Sequence, residues 1–121
     1  MHRDFKLANL FMHDDFLVIA DFGFVKKGLE MGETYVGTPN NMAPEILEGS
    51  SYTYLVDLWA VGVSFFYLLF GKYPFDGVNR WSLLADIKKK SGSNLEINRE
   101  INNISKICEN FLKKILTYDT N

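Results

Sequence analysis

The sequence holds a single cysteine, Cys108. A lone thiol excludes an internal disulfide framework and fits a reducing, intracellular (cytoplasmic) setting. No excess of one charge stands out: 13 Lys and Arg against 15 Asp and Glu give a net charge of −2. That balance excludes nucleic acid or an acidic membrane surface as the main partner. Long hydrophobic runs are also missing. The nearest, Leu58 to Phe70, is bounded by Asp57 on one side and by Gly71, Lys72 and Pro74 on the other. It falls short of the ~18–20 residues a membrane span needs and reads as a buried core helix. Met-His-Arg-Asp at the start has no apolar core behind it, so no signal peptide is expected. Internal repeats and low-complexity tracts are absent. What is present, 47% hydrophobic and 15% aromatic residues, calls for a packed core rather than disorder.

Leu10 to Met12 and Phe16 to Ile19, separated by His13-Asp14-Asp15, read as a β-hairpin. From Asp21 to Gly37 the chain is polar and glycine-rich, a long loop of the kind that carries function. Pro44 to Leu47 predicts a short helix with proline in its first turn. Tyr52 to Phe70 predicts the long buried helix, capped by Ser51 or Thr53 and ended by Gly71 and Pro74. Trp81 to Lys90 predicts a third helix, apolar through Trp81, Leu84 and Ile87, with Lys88-Lys89-Lys90 at its solvated end. Ser91 to Asn103 reads as loop. Ile104 to Leu116 predicts a fourth helix, with Ile104, Ile107, Cys108, Phe111, Leu112 and Ile115 at helical spacing. Cys108 on that stripe reads as core, not as a reactive thiol. The expected fold is mainly α with a small β-hairpin.

Four short motifs follow one another. In His2-Arg3-Asp4-Phe5-Lys6-Leu7-Ala8-Asn9, an Asp is followed by Lys two residues on and Asn five residues on. That set suits phosphoryl transfer: a carboxylate to take a hydroxyl proton, an ammonium to neutralise phosphate, an amide oxygen for Mg²⁺. Asp21-Phe22-Gly23 comes just after an apolar strand, where a carboxylate is a natural ligand for a hard cation. Gly37-Thr38-Pro39 leads into Met42-Ala43-Pro44-Glu45, and Asp57-Leu58-Trp59 heads the apolar helix. Each is weak alone; their order and spacing together are not.

In these motifs the chain resembles the C-terminal lobe of a eukaryotic protein kinase, with its His-Arg-Asp loop, Asp-Phe-Gly and Ala-Pro-Glu. The resemblance runs from His2 to about Asp119. Lys6 and Gly37-Thr38-Pro39 are similar to the serine/threonine type. Asp-Phe-Gly-Phe-Val-Lys with Met-Ala-Pro-Glu-Ile-Leu resembles the Unc-51-like kinases. Small-molecule phosphotransferases share the Asp-to-Asn loop but not the Asp-Phe-Gly to Ala-Pro-Glu pairing. The resemblance implies a partial kinase domain over 1–121: catalytic loop 2–9, activation segment 21–45 and helical subdomain 46–121.

It further implies ATP and Mg²⁺ as cofactors and a protein Ser or Thr hydroxyl as acceptor. Asp4 would be the catalytic base and Lys6 would lie near the γ-phosphate. Asn9 and Asp21 would hold Mg²⁺, and Thr38 would bond Asp4 and Lys6. Arg3 would pair with a phosphate on Thr34 to order the activation loop. His2 and Phe22 would stack, Gly23 would supply backbone freedom, and Asp57 would anchor the His2-Arg3 backbone. Glu45 would seek an arginine that the family places just beyond Asn121. Four positions depart from the family pattern: Phe5 for Leu, Asn41 for an aromatic, Ser64 for a larger apolar residue, and Thr120 for Pro. A Gly-rich loop, its lysine, a helix glutamate and an adenine hinge are expected ahead of the catalytic loop, yet none precedes His2. A complete enzyme is therefore expected to supply that N-lobe, with Met1 then an internal methionine. Two other readings remain: a catalytically inactive remnant or interaction module lacking the ATP cradle, and a membrane binder built on the apolar segment.

Overall fold

The computed structural model describes residues 1–27 and 39–118. Thr34, Gly37 and Thr38 lie outside the described residues, as does Asp119 to Asn121. Among the described residues the fold is mainly α, with a two-stranded antiparallel sheet near the N-terminal end. Strands β1 (Leu10–His13) and β2 (Phe16–Ile19) pair in the register Leu10 with Ile19 to His13 with Phe16. The two-residue turn places Asp14 at φ 51°, a left-handed angle that Asp tolerates well. Alternation would normally bury one face of such a hairpin. Here both strands are exposed beyond Leu10.

Among the described residues four α-helices follow: α1 (Pro44–Glu48), α2 (Leu55–Phe70), α3 (Arg80–Lys90) and α4 (Lys106–Ile115). Pro44 occupies the first turn of α1, where its missing N–H removes no helical bond. Gly49 and Gly71 close α1 and α2 at φ 76° and 69°. These are left-handed angles that glycine adopts without strain. The core gathers around α2. Val56, Trp59, Val63 and Phe66 meet Leu47 of α1, Leu83 and Ile87 of α3, and Leu112 and Leu116. Trp59 stacks on Phe75 with ring centroids 5.5 Å apart.

The structure corrects several expectations. Helix α2 begins at Leu55, not Tyr52, with Tyr54 as its N-cap, and neither Ser51 nor Thr53 makes a strong side-chain cap. Thr53 Oγ1 reaches only the Leu55 N–H, at 3.4 Å. The helix is not buried all round: Leu55, Leu58 and Leu68 are exposed. Helix α3 begins at Arg80 and turns Trp81 outward, and the core face runs through Leu83, Leu84 and Ile87. Its start is fixed by a capping box in which Asn79 Oδ1 accepts from the Ser82 N–H and Ser82 Oγ accepts from the Asn79 N–H. Helix α4 is shorter than expected, with Ser105 as its cap, and Ile107 and Phe111 face outward. The 91–103 segment contains two 3-10 turns, Gly92–Asn94 and Ile101–Asn103.

The lysine run at the end of α3 is partly structural. Lys88 Nζ lies 2.9 Å from Glu48 Oε1, which also accepts from the Tyr118 hydroxyl at 2.8 Å. Hydrogen bonding to Lys88, then to Tyr118, holds the Glu48 carboxyl below the ordinary carboxylate range. This contact ties α1, α3 and the chain after α4 together.

Candidate active site

The first nine residues form a loop that α2 clamps from below. Asp57 sits in the first turn of α2 and is the only carboxylate among that helix's residues. Its Oδ2 accepts from the His2 N–H at 2.7 Å and its Oδ1 from the Arg3 N–H at 2.8 Å. A carboxylate between apolar neighbours needs such donors, and two backbone N–H groups satisfy it. The clamp holds Arg3 at φ 71°, an uncommon angle for a residue with a side chain. Arg3 then reaches both flanks of the site: its Nε donates to the Phe24 carbonyl, and its Nη1 lies 3.4 Å from the Tyr52 hydroxyl.

We expect Asp57→Asn to lower stability of the full-length protein by about 1–3 kcal/mol. The amide keeps one acceptor but turns an NH₂ group toward a backbone N–H. Thermal denaturation measures the loss, and an unchanged melting temperature would remove the clamp from this account.

Arg3 turns the chain so that Asp4 points inward; Asp4 is buried, at 7% exposure. Its Oδ2 lies 3.2 Å from Lys6 Nζ and 3.4 Å from Asn9 Nδ2. Asn9 Nδ2 also donates to the Asp4 carbonyl at 2.9 Å. The Asn9 amide nitrogen is therefore committed to Asp4, and its side-chain oxygen is the acceptor left for a ligand. The Ala20 N–H donates to the Asn9 carbonyl at 2.8 Å, which ties the end of β2 to the loop. Asp21, the next residue, is thereby set near Asn9 in the chain path. It is exposed, at φ 60°, and its Oδ1 accepts from the Gly23 N–H at 3.2 Å.

His2 bridges the two segments. Its Nδ1 accepts from the Asp4 N–H at 3.3 Å and its Nε2 donates to the Ala20 carbonyl at 3.1 Å, which fixes the tautomer with the proton on Nε2. Its ring meets Phe22 edge-on, with centroids 5.3 Å apart. Glu45 stands apart from this cluster, in α1. Burial raises its carboxyl above the ordinary range. Among the described residues no cation pairs with it.

One arrangement was not visible beforehand. Asn41 Nδ2 donates to the Phe5 carbonyl at 3.1 Å and to Ser64 Oγ at 3.0 Å. Asn41 and Ser64 are both buried, at 7% and 3% exposure. Their polarity, unusual at core positions, was the available signal; the 23-residue separation concealed the pairing.

The oxygen donors suit Mg²⁺, a hard cation that binds through one or two carboxylates together with substrate phosphates. Among the described residues no group of three or more His, Cys, Asp or Glu could hold a metal unaided. Asn9 and Asp21 fit a site that phosphates complete. Among the described residues, no helix is long and apolar enough to cross a membrane.

The chain is similar to known proteins along its whole length. The family model described as "Protein kinase domain" matches residues 1–121. "Serine/threonine-protein kinase plk-1" of Caenorhabditis elegans is 48% identical over 79 residues, covering 63% of this chain and 12% of its own length. "Serine/threonine-protein kinase H1 homolog" of Danio rerio is 38% identical over 128 residues, covering 99% of this chain and 30% of its own length. "Serine/threonine-protein kinase ppk11" of Schizosaccharomyces pombe is 34% identical over 118 residues, covering 94% and 38%. The chain thus spans from 12% to 38% of the length of these relatives.

Proposed function

Because this chain belongs to the protein kinase family, we propose that it carries the catalytic and activation segments of a serine/threonine kinase that moves the γ-phosphate of ATP to a protein hydroxyl. The observation that supports this most directly is the buried Asp4 carboxylate, held between Lys6 and Asn9 on a loop clamped by Asp57. Asp4 orients the acceptor Ser or Thr hydroxyl and takes its proton. Lys6, 3.2 Å from Asp4, places positive charge where the transferred group gathers negative charge. Asn9 and Asp21 hold Mg²⁺, which when bound neutralises charge on the nucleotide phosphates. Most of the rate enhancement then comes from positioning and electrostatics, which a loop so tightly bonded supplies.

The remaining assignments belong to the same reading. Thr38 bonds Asp4 and Lys6, and Arg3 receives a phosphate on Thr34. His2, Phe22, Gly23, Glu45 and Asp57 are structural. The divisions at 2–9, 21–45 and 46–121, the Unc-51-like subfamily and an intracellular location are likewise proposals. In a complete enzyme an N-lobe segment contributes the rest of the nucleotide cradle.

The test is transfer of labelled γ-phosphate by the full-length protein to a Ser/Thr protein acceptor, with Mg²⁺ present and then chelated. Transfer that needs Mg²⁺ and falls sharply in Asp21→Asn is the expected result. Mg·ATP at ~100 times its Kd should also stabilise the protein by about 2.7 kcal/mol in a thermal shift. Absence of both transfer and nucleotide stabilisation would replace the enzyme reading with that of an interaction module.

A further inference from the structure

Two adjoining cavities, of about 580 and 490 Å³, lie between the end of α2, the α2–α3 connection and the chain that follows α3. Among the described residues, none of the first nine and none of α1 lines either one. The cavities share Lys72, Leu95 and Glu96. The larger has an apolar floor of Phe66, Phe75 and Leu95, each 3% exposed, and is walled by Tyr67 and Tyr73, whose ring centroids lie 4.8 Å apart. The smaller is polar, with Ser93, Asn94, Asn98 and Lys113 on its walls. The stretch 95–98 borders both. It belongs to no helix or strand, and Leu95 is extended at φ −67°, ψ 115°. Burial alternates along it: Leu95 and Ile97 pack on the core, while Glu96 and Asn98 are exposed. That is the period of a strand. Among the described residues, the N–H groups of Glu96, Ile97 and Asn98 and the carbonyls of Leu95, Glu96 and Ile97 have no hydrogen-bond partner. Such a row of free backbone groups is a template for pairing with another chain.

We propose that 95–98 is a docking edge for an extended segment of a partner protein. That segment sets a large apolar side chain in the larger cavity and a carboxylate, two residues away, in the smaller. Side chains two apart in an extended chain share a face, so one segment serves both cavities while its backbone pairs with 95–98. The inference goes beyond the phosphoryl-transfer reading and does not rest on it. Charge decides the side-chain classes. In the larger cavity Lys72 and Lys90 are balanced by Asp76 and Glu96, and Lys90 is already 2.8 Å from Asp86. An uncharged side chain therefore suits that apolar floor. In the smaller cavity Lys72 and Lys113 face Glu96 alone. Lys113 also lies 2.9 Å from Glu109, but Glu109 has Lys106 at 3.3 Å and Arg99 at 3.5 Å as well. Three cations share that one carboxylate, so the positive surplus beside the smaller cavity persists and favours an incoming acid.

The test uses the full-length protein and short fluorescent peptides rich in Thr and Val that carry Phe and Asp two positions apart, in either order. Anisotropy is expected to show saturable binding of one order. Replacing its Phe with Ser, or its Asp with Lys, should weaken binding by about tenfold or more. Backbone amides in a strand point alternately to its two edges. N-methylation of one alternate set should therefore cost about tenfold, and methylation of the other set little. Lys72 is exposed and outside the core, so Lys72→Glu leaves the fold in place. That variant should bind the Phe/Asp peptide about tenfold more weakly and the Phe/Lys peptide more tightly. Hydrogen exchange at the Glu96, Ile97 and Asn98 amides should slow when the peptide is bound. No saturable binding of either order, binding indifferent to Lys72→Glu, or unchanged exchange at 96–98 each overturns the proposal. Self-association through this edge with no peptide bound overturns it too, because the occupant is then a second copy of the chain.

Discussion

In the full-length kinase, Asp4→Asn is expected to lower kcat for phosphate transfer by ~10²–10⁴-fold, the usual contribution of a positioned general base. The substitution isolates the charge. Asn has the shape of Asp, so the side chain can still fill the buried position between Lys6 and Asn9. The backbone carbonyl of residue 4 still accepts from Asn9 Nδ2, and Asp57 still holds the His2 and Arg3 N–H groups. What disappears is the negative oxygen that takes the proton in the proposed mechanism and that pairs with Lys6 at 3.2 Å. The loss should therefore fall on kcat, with KM for ATP little changed, because the proposed nucleotide contacts come from other residues. Single-turnover kinetics with a thermal melt beside them check this. A kcat within a few-fold of the parent would remove Asp4 from the role of base.

The residues that make this experiment specific were legible in the sequence to different degrees. Asp57 stood out because an ionised group next to an apolar run must find donors, and the donors it finds are those of the first loop. The hairpin and the order of four helices follow from runs and periodicity. Helix faces were harder. In α4 the apolar positions cover so wide an arc that periodicity alone does not say which edge turns inward. Leu112 takes the core, while Ile107 is 82% exposed. Trp81 misled for the same reason, since Leu83 rather than Trp81 completes the buried face of α3. Starting α3 at Trp81 also misses the Asn79–Ser82 capping box, in which each side chain bonds the other's backbone N–H. Asn41 and Ser64 were visible only as two separate departures from the family pattern. Their shared hydrogen bond depends on how α2 passes under the first loop, which no local pattern encodes.

Expressed by themselves, residues 1–121 are expected to associate and to melt without a sharp monomeric transition. The cause lies less in α2 than in the hairpin. Phe11, Met12, Phe16 and Leu17 are 56%, 68%, 73% and 61% exposed, and Val18, Ile19 and Phe22 continue the patch. A fully buried side chain of these types contributes ~1.5–3 kcal/mol, so leaving about half of the area of these seven groups in water forgoes roughly 5–10 kcal/mol. Whole domains are stable by only ~5–15 kcal/mol. A lone two-stranded hairpin is marginal in water, and its unpaired edges invite pairing with another chain. The helical part is better supplied, with Leu47, Val63, Ile87, Leu112 and Leu116 each below 2% exposure. The defect is therefore local, and a local change should relieve it. Phe16→Lys with Leu17→Ser should raise the monomer fraction seen by light scattering and reduce binding of an apolar dye, because neither residue belongs to the core around α2. A cooperative monomeric melt of the unaltered segment, or association that the double variant leaves untouched, would show that the hairpin surface is not what drives it.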